Sequence, residues 1–209
     1  MNDSAPATGL RRPGGRTART RALVLDAVTS LLVEAGYDGL SIDAVAERSG
    51  VHRATVYRRW RDVGGLLADV FDAAAGDEWV PADTGSLVGD LIALNQEVFE
   101  SLRDETSVTR ALIAASFRSA QAAAALRGFW RDRYRRCEVV VSRARRRGEI
   151  VGEVDAHRLL VAATAPLYHR LVLMGEPPQA EMAEQAARDA ACSALPVIGG
   201  PGYQARPTE

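Results

Sequence analysis

The sequence predicts an all-α protein in which a three-helix N-terminal head precedes a C-terminal helical bundle, with about nine helices in all. Three observations support this prediction. Apolar residues recur at steps of three and four along most of the chain. No stretch shows the sustained alternation that a half-buried strand requires. The candidate helices are separated by glycine, proline and serine residues, which are typical of helix ends.

The first helix is predicted to begin near Thr17 and to end before Gly36. Its apolar side chains share one face: Val24, Val28, Leu31, Leu32 and Ala35. Glycine directly after a helix readily takes the left-handed conformation that closes many helices. Ahead of this helix, residues 1–16 are rich in Pro, Gly, Ala and Thr, a composition that predicts a disordered arm.

A short second helix is predicted to begin after Ser41, whose hydroxyl can cap the first turn. It ends at Gly50, and a third helix covers about residues 52–60. A fourth follows through Leu66, Leu67, Val70 and Phe71. Two short helices joined by a tight glycine turn and braced by a longer helix describe a helix-turn-helix. We place this domain at residues 17–62.

The segment GDEWVPADTG, residues 76–85, reads as a loop between head and body because it holds a proline and two glycines. Beyond it, candidate helices cover about 86–103, 106–115, 119–147, 155–175 and 179–195. We assign residues 63–196 to a regulatory and dimerisation domain and predict a disordered tail at 197–209.

Charge is unevenly distributed along the chain. Residues 1–61 hold ten arginines and six acidic residues, whereas the remainder holds sixteen arginines and twenty-one acidic residues. A basic head on an acidic body indicates that only the head meets a polyanion. All 26 basic residues are arginines, so any phosphate contact is made by a planar, forked donor.

Several classes of function are disfavoured by the sequence. Paired carboxylates, a metal-ligand cluster and a nucleophile motif are not evident, so we expect neither an enzyme nor a metal or other cofactor. Cys137 and Cys192 lie far apart in helical segments, and we expect two buried, inert thiols. No apolar run approaches the roughly 20 residues that span a bilayer. We therefore expect a cytoplasmic protein without a membrane partner.

The third helix is predicted to have one buried face and one exposed face. Val45, Val51 and Val56 can pack on the first helix, which leaves an outward row: His52, Arg53, Thr55, Arg58 and Arg59. A helix fits the major groove of DNA, where arginine can bind guanine through two hydrogen bonds. The hydroxyls of Ser41 and Tyr57 suit phosphate oxygens.

Alternative interpretations of these residues remain open. Arg58, Arg59 and Arg61 could form an ordinary solvated face, and His52 could serve only as a helix cap. In the predicted arm, three arginines either solubilise the chain or touch DNA beside the main site: Arg11, Arg12 and Arg16.

The run VLDAVTSLLVEAGYDGLSIDAVAERSGVHRATVYRRW, residues 24–60, resembles the DNA-binding domain of TetR-family transcriptional regulators in residue type and spacing. The resemblance implies these DNA contacts: Ser41, His52, Arg53, Thr55, Tyr57, Arg58 and Arg59. The body resembles the family only in outline, over the segment that starts at ARRRGEIVGEVDAHRLL. One departure is Val63, where many members carry a phosphate-binding lysine; Arg61 could substitute for it.

The resemblance also implies a homodimer through the helices at about 155–175 and 179–195. On the first we expect an interface stripe: Leu159, Leu160, Ala163, Leu167, Leu171 and Met174. On the second we expect a small-residue face: Ala183, Ala186, Ala187, Ala190 and Ala191. The alternative is that both stripes pack within one subunit.

A ligand-sensing body needs a cavity, and aromatic and polar residues of its helices are the candidates: Asn95, Phe99, Phe117, Trp130, Tyr134 and His169. The alternative is that they form an ordinary core. We expect a small apolar or amphipathic effector and a repressor that binds a pseudo-palindromic operator as a dimer. The other candidate is a DNA-binding structural or cell-division factor that has no effector.

Overall fold

The structure, a computed structural model, describes residues 14–76, 78–150 and 152–194. These residues form nine α-helices and no strand, which confirms the all-α prediction. The helices are α1 (Gly14–Ala35), α2 (Ile42–Ser49), α3 (Arg53–Trp60), α4 (Val63–Ala75), α5 (Leu87–Leu102), α6 (Val108–Ser116), α7 (Ala120–Arg146), α8 (Ala156–Leu167) and α9 (Glu181–Cys192). A 3₁₀ turn (Tyr37–Gly39) follows α1, and a π-helical turn (Tyr168–Leu173) continues α8.

The ends of the chain differ from expectation in one respect. Helix α1 begins at Gly14, so Arg16 lies on a helix rather than in an irregular arm. The rest of the predicted arm, with Arg11 and Arg12, lies outside the described residues, as does the predicted tail at 197–209.

Side-chain caps define where most helices begin. Ser41 Oγ accepts a hydrogen bond from Ala44 N at 3.0 Å, as predicted. Equivalent caps open the later helices at Asp62, Ser86 and four further positions: His52, Ser107, Ser119 and Asp155. Each side chain satisfies one of the backbone N–H groups that a helix leaves unpaired in its first turn.

The head and the body share a hydrophobic core. Val45 and Val56 are fully buried in the cluster that α1 forms with α2, α3 and α4, and Val51 packs at its margin. The same cluster includes Leu112 of α6 and Ala122 of α7. The head therefore packs directly on two helices of the body, although the sequence places a loop between them.

Asp69 joins three helices at the base of the head. It lies on α4, where its Oδ1 accepts from Arg21 Nη2 of α1 at 2.8 Å and its Oδ2 accepts from the indole Nε1 of Trp60 at 2.7 Å. Burial raises the pKa of Asp69, but the hydrogen bonds from Arg21 and Trp60 outweigh burial, and the net effect is a lowered pKa. The carboxylate thus holds the end of α3 against α1 and α4.

The turn between α3 and α4 is unusually tight. Arg61 has a φ of 65°, and Asp62 N donates to Trp60 O at 2.7 Å across it. The following glycines are needed for close packing, although their helix propensity is low. A Cβ on Gly65 would lie 2.1 Å from Trp60 O, and one on Gly64 would lie 2.7 Å from Gln121 Oε1.

Replacing Gly65 with Ala is expected to lower the free energy of unfolding by about 1–3 kcal/mol, because the new Cβ must displace the backbone at Trp60. Gly128→Ala is the matched control. Gly128 lies within α7 with open space around it, so alanine should stabilise the protein by about 0.5–1 kcal/mol. Urea denaturation measures both, and equal stability of the two variants would contradict the assigned turn geometry.

The stripes predicted to form the dimer interface pack instead within one protomer. Five of the six α8-side residues are buried: Leu159, Leu160, Ala163, Leu167 and Leu171. So are the five alanines of α9: Ala183, Ala186, Ala187, Ala190 and Ala191. Small side chains let α9 approach α5 and α8 closely, and Asn95 of α5 donates to Ala163 O at 2.8 Å and to Ala183 O at 3.1 Å. Only Met174 is exposed, at 62%.

The two cysteines differ from each other. Cys137 is buried, and burial raises the pKa of its thiol to about 12. Cys192 is exposed at the end of α9, so the prediction of two buried thiols is wrong for this residue. Across the described ranges, no helix combines the length and the apolar character that crossing a bilayer requires.

Candidate functional site

Helix α3 presents a polar face to solvent because its apolar residues are one turn apart. Val56 and Trp60 are buried in the head core. Since each residue rotates the helix by about 100°, the opposite side carries Ala54 and Arg58, and both are exposed. Thr55 is half-buried at the edge of this face. We call this side of α3, with its flanking residues, the outward face.

The other predicted contact residues lie around the outward face. Tyr57 is 58% exposed, and Ser41, His52 and Arg59 are also exposed. Arg59 also packs on its neighbour, with its guanidinium 4.9 Å from the centre of a Trp60 ring. Six of the seven predicted contact residues are therefore exposed, and the seventh, Thr55, is half-buried.

His52 does cap α3, since its Nδ1 accepts from Ala54 N at 3.3 Å. This bond assigns the Nδ1 lone pair to the cap, so a neutral imidazole carries its proton on Nε2. The capping interpretation and the DNA-contact interpretation are therefore compatible, because the Nε2 proton is not used by the cap. Ser41 is similar: its oxygen accepts the cap bond and its own proton can still be donated.

Arg53, one of the residues predicted to contact bases, forms an ion pair within the protein. Its side chain, 64% exposed, forms an ion pair with Asp43 of α2. An exposed pair of this kind contributes little to stability and can exchange for a contact with DNA. Asp43 thus holds the Arg53 guanidinium in the free protein and competes with a phosphate or a base for it.

Val63, which replaces the lysine of many family members, packs its side chain against the head core, whereas Arg61 is exposed at the turn. Ala54 was missed by the sequence analysis, although it lies at the middle of the outward face. An alanine methyl can contact the methyl group of thymine; its small size and neutral character gave no signal in the sequence.

The body contains an apolar cleft of about 390 Å³ between α6, α7 and α8. It is lined by Ile113, Leu126, Trp130, Tyr134, Val161, Tyr168, Val172 and Leu173. Trp130 is the central ring, 5.1 Å from Tyr168 and 6.0 Å from Tyr134 between centroids. A volume of this size and an apolar wall with few polar groups are typical of small-molecule sites.

A second cleft, of about 280 Å³, lies on the other side of Trp130 and Tyr168. We call it the strap cleft, because Trp79 of the strap, residues 78–85, lines it. The Trp79 indole donates to Glu97 Oε2 at 2.7 Å, and the Arg133 guanidinium lies 4.3 Å from the centre of its ring.

The six predicted ligand residues divide into three groups. Trp130 and Tyr134 line the apolar cleft. Asn95 and Phe99 are buried in the packing between α5, α8 and α9, and neither lines a cleft described above. Phe117 is 76% exposed after α6, and His169 is exposed on the π-helical turn. Tyr168 was missed, because an aromatic residue at helical spacing looks the same in the sequence whether it lines a core or a cleft.

Two arginines of α7 donate hydrogen bonds to the end of α4 and to the strap. Arg136 donates to Ala75 O at the end of α4 and to Trp79 O at 3.4 Å. Further along α7, Arg143 donates to Pro81 O at 3.1 Å and to Ala82 O at 2.8 Å. The end of α4 and the wall of the strap cleft are therefore fixed to the same helix.

A helix-turn-helix whose third helix exposes a row of arginines, tyrosine and small residues defines a DNA-binding protein of the recognition-helix type. Two family models match the chain: the bacterial regulatory proteins of the TetR family over residues 24–70, and the tetracycline repressor-like C-terminal domain over residues 81–190. The chain belongs to the TetR family of transcriptional regulators.

Individual proteins agree with this assignment. The chain is 34% identical over 157 residues to the HTH-type transcriptional regulator AqdR of Rhodococcus erythropolis, covering 74% of each protein. It is 33% identical over 162 residues to the DNA-binding transcriptional repressor TetR of Mycobacteroides abscessus, covering 75% of this chain and 84% of that protein. The crystal structure of the TetR-family regulator SCO0332 has a TM-score of 0.64 and 28% identity, covering 85% of this chain and all of that one.

Proposed function

We propose that the protein is a ligand-responsive repressor that acts in the cytoplasm as a dimer on a pseudo-palindromic operator. The outward face of α3 is the observation that carries this proposal. It offers Arg53 and Arg58 to base edges, with Tyr57 and Ser41 beside them for phosphates. The M. abscessus relative is named a repressor, which supports repression rather than activation.

We propose that the dimer forms through α8 and α9, as expected, but through the faces of these helices that point away from the core of the protomer. On α8, Ala162, Ala165 and Pro166 are exposed and continue to Leu173 on the π-helical turn, which is 66% exposed. Small and apolar side chains on an exposed helix face favour close approach of a second copy. Two heads on a two-fold axis then double the contacts with DNA.

An effector would act by changing the position of α4 relative to the body. Binding in the clefts moves the side chains that line them, and Trp79 and Arg136 connect the strap cleft to the last carbonyl of α4. Midway along α4, the carboxylate of Asp69 accepts a hydrogen bond from Trp60 of α3. A ligand that prefers one arrangement of α4 shifts operator affinity, typically by a coupling of about 1–3 kcal/mol. The presence of these clefts supports an effector-responsive regulator over the alternative, a DNA-binding structural or cell-division factor without an effector.

Selection from a random pool of duplex DNA tests the proposal. The purified protein is expected to enrich a sequence with two related half-sites whose centres lie about one helical turn apart or a multiple of it. Sedimentation of the protein with the selected duplex should give two or more copies for each DNA. Enrichment of no sequence, or a single unrepeated half-site bound by one copy, would contradict the proposal.

A further inference from the structure

The apolar cleft holds a small and well-defined set of polar groups. Of the eight residues that line it, none has an acidic or basic side chain, and only three carry a polar side-chain atom: Trp130, Tyr134 and Tyr168. A charged ligand would lose its hydration there without gaining a partner of opposite charge. The chemistry of the wall therefore favours a neutral ligand.

The Tyr134 hydroxyl can only accept a hydrogen bond from a ligand. Its Oη lies 2.9 Å from Thr164 Oγ1, and Thr164 Oγ1 lies 3.0 Å from Leu160 O. A threonine hydroxyl has one proton, and the carbonyl of Leu160 can only accept. The proton of Thr164 is thus used on Leu160, and Tyr134 must donate its own proton to Thr164. A lone pair on Tyr134 Oη remains.

The Tyr168 hydroxyl is the complementary group. The residue is half-buried and lines the cleft, and its Oη makes no hydrogen bond with another residue in the described part of the chain. Burial raises the pKa of Tyr168, so the phenol keeps its proton at neutral pH and can donate it. Tyr168 also begins the π-helical turn, a rare conformation that is frequent at functional sites.

We propose that the apolar cleft binds a neutral, planar aromatic molecule that carries a hydrogen-bond acceptor next to a donor, as in a cyclic amide or imide. The acceptor receives the Tyr168 proton, and the donor binds the lone pair of Tyr134. The Trp130 ring, which packs against both tyrosine rings, provides the aromatic surface for the plane of the ligand. This inference rests on the proposed function, since it names the effector class of that regulator.

Isothermal titration calorimetry with two small-molecule probes tests the inference. The first is 1,8-naphthalimide, a planar neutral imide with an N–H between two carbonyls; the second is N-methyl-1,8-naphthalimide, which keeps the carbonyls and lacks the donor. Tyr168→Phe is expected to weaken binding of both probes about tenfold, the effect of one lost hydrogen bond. Tyr134→Phe should weaken only the N–H probe, by about fivefold to tenfold.

Matched controls separate the outcomes. Tyr37→Phe, on the 3₁₀ turn after α1 and outside both proposed binding sites, should leave both dissociation constants unchanged. The N-methyl probe should bind wild-type protein less tightly than its parent, and this difference should disappear in Tyr134→Phe; this comparison does not depend on the stability of Tyr168→Phe. Binding of neither probe to the wild type, or equal binding by all variants, would overturn the inference. Operator binding without probe is measured in parallel: if it persists while the probes fail, only the effector class is wrong.

Discussion

The double variant Arg53→Ala/Arg58→Ala is expected to lose about 2–6 kcal/mol of sequence-specific affinity for the selected operator. Each arginine that binds a base pair through two hydrogen bonds contributes about 1–3 kcal/mol of discrimination. The two residues lie at opposite ends of the outward face, so their effects should add. Affinity for unrelated DNA should fall much less, because other positive groups still contact phosphates. Gel-shift titrations at several salt concentrations measure both affinities.

Two control variants make this test specific. Arg127 and Arg131 are exposed on α7 in the body, and their double alanine variant removes the same charge and should leave specific affinity within about twofold. Asp43→Asn removes the partner of Arg53 together with a negative charge next to the DNA, so binding should become tighter and more salt-dependent. A body variant that loses as much affinity as the head variant would show that only overall charge matters.

The variant Asp69→Asn is expected to lower the free energy of unfolding by about 2–3 kcal/mol at pH 7. It replaces a carboxylate that receives charge-assisted hydrogen bonds from Arg21 as well as a bond from Trp60. Because the pKa of Asp69 is lower in the folded protein than in the unfolded chain, its contribution is fully present well above the ordinary aspartate pKa of about 3.9. It is lost as the pH falls through the lower, folded value.

The stability difference between wild type and Asp69→Asn should therefore narrow below about pH 4. Urea denaturation between pH 7 and pH 3 provides the measurement. Asp72→Asn, an exposed carboxylate on the same helix, is the control and should change stability by less than about 0.5 kcal/mol. A difference for Asp69→Asn that stays constant across this range would show that its charge does not hold the three helices together.

The sequence was sufficient for the local features of the head. Caps and turn glycines act over three or four residues, so Ser41, Gly36 and Gly50 marked helix ends that the structure places within a residue or two. Apolar spacing likewise identified Val45 and Val56 as core residues. The need for glycine at position 65 was hidden, because it arises from the carbonyl of Trp60 across a turn whose shape no local pattern specifies.

The body shows where pattern alone fails. An alanine-rich face permits close packing equally well within a subunit and between subunits, so the spacing in α9 could not identify its partner, which is α5 and α8 of the same chain. The aromatic residues have the same ambiguity. Phe117 and Tyr168 are both aromatic residues at helical spacing, yet Phe117 is exposed after α6 and Tyr168 lines two clefts. Only the packing of α6, α7 and α8 distinguishes them.

Methylation interference on the selected operator tests the central claim most directly. Dimethyl sulfate methylates guanine N7 in the major groove, the atom that Arg53 or Arg58 is expected to contact. We expect methylation to block binding at guanines in two patches about one helical turn apart or a multiple of it, and the guanine dependence to disappear in Arg53→Ala/Arg58→Ala. Binding that tolerates methylation at every guanine, or interference that is the same in the double variant, would show that the outward face of α3 does not enter the major groove.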